Sequence, residues 1–202
     1  MSDEHAPEPE HGVAAALWGS IMRPMPTLAG VALAEWWLPA LIAVLAAGSS
    51  WAAFCAVLAD AGHQPSFVGL PIEPASFYRY QSVFITPLLI GGWLLMSLTA
   101  HHAGKALNGT GTFRGTAAAA GLGYGLSILL LFVLPDLLVY AVGGFAELGL
   151  VFRLSAPLCA LWVIVMTTAS IRAAHELSWA RSIVAALCGV LAQGLLVGTW
   201  VR

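Results

Sequence analysis

The sequence predicts an all-α integral membrane protein: a bundle of five transmembrane helices preceded by a short N-terminal interfacial helix. Three observations predict it. Of the 202 residues, 59% are hydrophobic and only 9% charged, against roughly 25% charged residues in a soluble domain, so the chain cannot cover a water-facing surface. Its mean hydropathy is +0.86. Five stretches each approach the ~20 apolar residues that cross a bilayer, and they run continuously, without the alternation of a transmembrane β-barrel. The formal net charge of -2 gives no electrostatic footprint for nucleic acid.

The elements follow in order. Residues 1–12, MSDEHAPEPEHG, are acidic, polar and Pro-bearing, the composition of a disordered tail, and they lack the basic start of a signal peptide. Residues 13–36 form an amphipathic segment. Val13, Leu17 and Ile21 recur every four residues, with Trp18 and Met22 beside them, which makes an apolar stripe on a helix too short to span. It is expected to lie along the membrane surface with Trp18 at headgroup depth, closed by Arg23 and Pro24. Residues 37–202 hold the spans: about Trp37 to Leu58, Val83 to Ala103, Thr116 to Tyr140, Leu150 to Ile171 and Ser182 to Val201. The connections between them, such as AGHQPS and ALNGTGTFRG, carry turn residues. The longest, from Asp60 to Tyr80, has the aromatics Phe67, Phe77, Tyr78 and Tyr80 and reads either as a lid or as an interfacial belt.

Five spans put the termini on opposite sides. The N-terminal side collects Arg23, Lys105, Arg114, Arg172 and Arg181, and the other side Arg79, Arg153 and Arg202. Cytoplasmic loops carry the excess of Lys and Arg, so the N-terminus is expected in the cytoplasm and the C-terminus outside. Small residues at four-residue intervals allow close helix contact in lipid. Ala117, Gly121 and Gly125 make such a face on the third span, and Gly189, Gly194 and Gly198 supply small positions on the fifth, to seat neighbours in the bundle or another copy of the chain.

Two segments carry a family resemblance. The first is ALNGTGTFRGTAAAAGLGYGLSILLLFVLP, a Gly-rich loop with an aromatic residue before helix three. The second is LWVIVMTTASIRAAHELSWARSIVAAL, in which the fourth helix leads into the turn IRAAHELSWARS, with Arg172, His175, Leu177, Ser178 and Arg181. Both resemble the Yip1 domain family, over roughly Ala14 to Val201. The resemblance implies five helices behind a cytoplasmic N-terminal tail. Eukaryotic members bind small Rab-type GTPases and shape vesicle traffic. Their Asp-Leu-Tyr-Gly-Pro motif is absent here, and the short, Ala-rich chain looks like a bacterial-type member of an inner membrane, for which the resemblance implies a fold without established chemistry.

Ionisable groups at membrane depth are functional candidates by default. Asp136 follows Pro135 near the outer end of the third span, where proline frees a carbonyl and can kink the helix. Arg153 lies at comparable depth, so the two read as an ion pair stapling two helices, or Asp136 as a titratable group on an ion path. Gln193, the amide inside the fifth span, reads as a packing contact. His101 and His102 end the second span, and His175 and Glu176 follow the fourth, all at one membrane surface. Imidazoles and a carboxylate suit zinc, but no HxxxH or HExxH pairing occurs, so no metal or other cofactor is expected. His175 is instead expected to cap the fourth helix, and Ser178 to N-cap the fifth. Glu35 could pair with Lys105. Cys55, Cys159 and Cys188 fall in spans without a CxxC spacing. No nucleotide loop, catalytic triad or paired catalytic carboxylates occur. The expected function is therefore a non-enzymatic scaffold or interaction protein, partnered by the lipid bilayer and by other membrane proteins or itself. The alternative is a small transporter or channel acting as a homo-oligomer with Asp136 on the path.

Overall fold

The computed structural model describes residues 12–65 and 71–197; the acidic tail, Phe67 and Gly198 lie outside them. Among the described residues the chain is helical, without strands. The elements are α1 (Val13–Met22), α2 (Pro24–Leu33), α3 (Leu38–Asp60), α4 (Pro74–Ala106), α5 (Phe113–Ile128), α6 (Leu134–Gly143), α7 (Leu148–His175) and α8 (Trp179–Val197). A π-helical turn, Leu129–Val133, joins α5 to α6 as one span, and a 3-10 turn, Phe145–Glu147, leads into α7. Among the described residues, five helices are long and apolar enough to cross a membrane.

α5 is the axis of the bundle. Every residue from Gly115 to Ile128 is buried, and α2, α3, α4 and α7 pack around it. The sequence FRGTAAAAGLGYGLSI permits this because Ala and Gly let backbones approach on all sides. A Cβ on Gly125 would stand 2.5 Å from the Ala43 carbonyl carbon and 2.6 Å from the Val44 nitrogen of α3. A Cβ on Gly121 would overlap the Trp93 indole of α4, whose Nε1 donates to the Ala117 carbonyl at 2.9 Å. Ala117, Gly121 and Gly125 thus seat neighbours within the chain. On α8 the same role falls to Gly189, whose Cβ would meet the Met96 carbonyl at 2.5 Å. Gly194 departs from the expected pattern. Nothing lies within 4 Å of its Cβ position, and it borders a cavity instead.

The segment 13–36 is two helices rather than one. The helix ends at Met22 because Pro24 cannot continue it and disfavours helical dihedrals at the preceding residue; Arg23 sits at φ -142°, ψ 65°. α2 restarts with Pro24 at its first position and folds back along α1. Gly19 of α1 meets the Thr27 side chain of α2, and Thr27 Oγ1 donates to the Arg23 carbonyl at 3.0 Å. Leu28, Val31 and Ala32 of α2 are buried, and the helix packs on α5 and α7.

α4 begins at Pro74, nine residues before the expected start of the second span. Phe77 and Tyr78 are therefore buried helical residues, not parts of a loop folded over the bundle. Arg79, exposed on the first turns of α4, pairs with Asp60 at 3.1 Å.

Candidate functional site

The two segments singled out in the sequence meet at one end of the bundle. α4 closes with a Schellman arrangement: Asn108 takes a left-handed conformation at φ 68°, its N–H donates to the Lys105 carbonyl at 3.0 Å, and the Gly109 N–H reaches the Gly104 carbonyl at 2.9 Å. This turns the Asn-Gly-Thr-Gly loop flat onto the end of α7. A Cβ on Gly109 would lie 2.5 Å from His175 Nδ1, and one on Gly111 would overlap the Ala174 carbonyl. Glycine is required at both places by close approach. α7 ends because Glu176 adopts the left-handed region at φ 56°, its N–H held by the Arg172 carbonyl at 3.0 Å. The Thr110 N–H takes the last carbonyl of the helix, that of His175, at 3.2 Å.

His175 itself points inward, 1% exposed. Its Nε2 lies 3.0 Å from Thr116 Oγ1 of α5 and 3.2 Å from His101 Nδ1 of α4. Thr116 Oγ1 also donates to the Thr112 carbonyl at 2.8 Å. One hydroxyl and two imidazoles therefore tie three spans together. This corrects the expectation that His175 caps its own helix: the backbone of Thr110 does that, and the imidazole joins α7 to α4 and α5. Of the other candidates for a metal centre, His102 and Glu176 are exposed. Among the described residues no third His, Cys, Asp or Glu joins the imidazole pair in a metal-binding group.

The basic residues here knit the loops. Lys105 Nζ donates to the Thr110 carbonyl at 3.2 Å, Arg172 Nη1 to Leu177 at 3.4 Å and Arg181 Nη1 to Leu107 at 3.5 Å. Arg172 also stacks over the Trp179 ring at 4.8 Å, a cation–π contact. Ser178 precedes α8, and its carbonyl accepts the Ser182 N–H at 3.0 Å. Glu35 does not pair with Lys105. Its Oε1 accepts from Thr112 Oγ1 at 2.6 Å, and the Thr112 hydroxyl oxygen in turn caps α5 by accepting the Gly115 N–H at 3.0 Å. This surface is where α2, α4, α5, α7 and α8 are fastened to one another. The sequence reading missed Thr112 and Thr116; the signal was a Thr-x-x-x-Thr repeat at the start of an apolar helix.

A Yip1 domain family model matches residues 18–201. The chain belongs to the Yip1 domain family. No curated protein and no solved structure matches it. In this Yip1 chain the Gly-rich loop and the IRAAHELSWARS turn, the segments that carry the family resemblance, dock on each other through His175.

The remaining candidates of the Yip1 bundle lie apart from this surface. Asp136 is 2% exposed and follows the π-helical turn at Leu129–Val133; a π turn just before proline absorbs the lost hydrogen bond and ring clash. Arg153 is exposed, and no ion pair joins it to Asp136 among the described residues, so the expected staple is not formed. Gln193 Nε2 of α8 donates to Tyr124 Oη of α5 at 3.3 Å, beside an apolar cavity of about 570 Å³ between α5, α7 and α8 that Gly194 also lines. Replacing Gln193 by Leu is expected to lower the stability in detergent by only about 0.6 kcal/mol, the average for such interhelical bonds. Gln193→Leu combined with Tyr124→Phe should cost no more than the larger single change, as measured by thermal unfolding; additive losses would separate the two residues.

Proposed function

We propose that this membrane protein is a non-enzymatic scaffold or interaction protein, which organises membrane proteins or lipid around a rigid five-span bundle. One observation carries the reading. The hydroxyls inside the spans are bonded largely to carbonyls of their own helices: Ser49 to Leu45, Ser127 to Gly123, Thr168 to Ile164 and Ser170 to Met166, at 2.5–2.8 Å. Side chains satisfied in this way line no polar route, and they leave apolar contact as what the bundle offers. Its outer face supports this, with Leu150, Leu154, Leu158 and Leu161 of α7 and Leu191 and Leu195 of α8 all exposed. Lys105, Arg114, Arg172 and Arg181 on the N-terminal side, against Arg79, Arg153 and Arg202 on the other, support a cytoplasmic N-terminus and an external or periplasmic C-terminus, in an inner or plasma membrane.

Crosslinking in native membranes, followed by purification in mild detergent and mass spectrometry, tests the reading. A recurrent protein or lipid species attached at stoichiometric level is expected. A bare homo-oligomer would turn the reading toward the alternative, a transporter or channel built from several copies, which the buried Asp136 beside a π turn favours. In that case Asp136→Asn should abolish ion-coupled flux in liposomes while leaving the folded yield intact.

A further inference from the structure

The α1–α2 pair sits deeper than a surface helix would. Ser20 and Ile21, at the end of α1, share a cavity with Leu126 and Leu131 of the third span and Leu158 and Trp162 of the fourth. At about 1.5 Å per residue, Leu126 and Leu131 stand roughly 20–27 Å along that span from Phe113. The span has 31 residues, so it is about 46 Å long against a hydrocarbon core of ~30 Å, and the bilayer midplane falls near its middle, at roughly 23 Å. At its other end α2 returns to the surface: a Cβ on Gly115, in the first turn of α5, would meet the Ala32 carbonyl at 2.5 Å. Its 10 residues cover about 15 Å, half of the core.

We propose that residues 13–33 form a re-entrant hairpin that crosses one leaflet and carries Arg23 to the midplane, where it receives a carboxylate from the transmembrane helix of a partner protein. Helical backbone satisfied within the hairpin and packed on α5 and α7 is compatible with that depth. A charge there is expensive and calls for a partner. Arg23 is exposed, and no described side chain engages its guanidinium. It lines a crevice of about 700 Å³ between α1 and α2, whose walls include Trp18, Gly19, Met22, Gly30 and Val31. Lipid phosphates stand a leaflet away from the tip, so the anion that reaches it is a side-chain carboxylate held on a helix. The described residues of a second copy of this chain do not supply one. Among the described residues Glu35, Asp60, Glu73, Glu147 and Glu176 stand at helix ends, and Asp136 is inside the bundle. The proposal rests on the scaffold reading and names the surface and chemistry it would use.

The test has two parts, both on the full chain. A spin label on Met25→Cys, in a background with the native cysteines replaced by Ser, reports depth. Oxygen accessibility well above that of a water-soluble nickel chelate is expected, and the reverse ratio would overturn the hairpin. A photocrosslinking amino acid in place of Met22, in native membranes, then reports the occupant. A transmembrane protein is expected, with capture reduced at least tenfold in Arg23→Glu and in Gly30→Phe; the second variant fills the crevice at a position where a Cβ meets open space. Changing the partner's carboxylate to Lys should restore capture by Arg23→Glu. Capture indifferent to Arg23→Glu, adducts only with phospholipid, or adducts only with a second copy would each overturn the proposal. If other faces of the bundle capture partners and the hairpin does not, the scaffold reading survives and this inference falls; if no face captures any, both fall.

Discussion

Gly125→Leu is expected to abolish the folded protein, and Gly125→Ala to destabilise it by about 1–3 kcal/mol, the range for overpacking a filled core. The position explains the size of the effect. Gly125 lies on α5, and its Cβ would press on the Ala43–Val44 backbone of α3 at 2.5–2.6 Å. Backbone on both sides cannot step aside as a flexible side chain can, so α3 and α5 must separate. The matched control is Gly194→Ala, where nothing lies within 4 Å of the new methyl; it should leave the midpoint of unfolding in detergent unchanged or slightly raised. Equal midpoints for Gly125→Ala and Gly194→Ala would refute the account of α5 as the packing axis.

The second large effect is expected at Gly111. Gly111→Ala places a methyl in the Ala174 carbonyl at the end of α7, which should lift the α4–α5 loop off His175. The readout is local. The Thr110 amide donates to the His175 carbonyl, and losing about 1.4 kcal/mol of local stability would speed its hydrogen exchange about tenfold. His175→Ala should loosen the same amide by removing the imidazole that the loop covers. Unchanged exchange at Thr110 in both variants would mean that the loop is held by other contacts.

The fold was legible because the bilayer imposes a strong pattern. Twenty apolar residues in a row have few other uses, and Leu38–Asp60, Phe113–Gly143 and Trp179–Val197 follow the expected spans within a few residues at the ends described. The start of α4 was missed because Phe77, Tyr78 and Gln81, though buried, stand among Pro74, Ser76 and Arg79, whose polarity resembles that of a loop. The break at Arg23 was visible in Pro24, but not the fold-back of α2, which depends on a contact between Gly19 and Thr27 that no periodicity encodes. At the fastening surface the sequence named His101 and His175 but not their meeting, 74 residues apart. Glycines in the loop suggested a turn; their actual reason, the closeness of another helix end, belongs to tertiary structure. Asp136 and Arg153 looked like partners by depth alone, and depth does not fix which way a helix faces.

The enclosure of α5 has a consequence for how the protein enters the membrane. The third span is two unlike halves. From Gly115 to Ile128 it is rich in Ala and Gly and wholly covered by neighbours, whereas Leu134 and Leu138 further along remain exposed. Partitioning from the insertion machinery into lipid is driven by the leucine-rich half, since Ala and Gly gain little from hydrocarbon. The Ala- and Gly-rich half is solvated by protein and needs α3 and α4 in place before it and α7 after it. Integration of this span therefore rests on the hydrophobicity of one half and on neighbouring helices for the other. A chain truncated before Leu148 should hold the span in the bilayer by one end only, with the other still waiting for its walls.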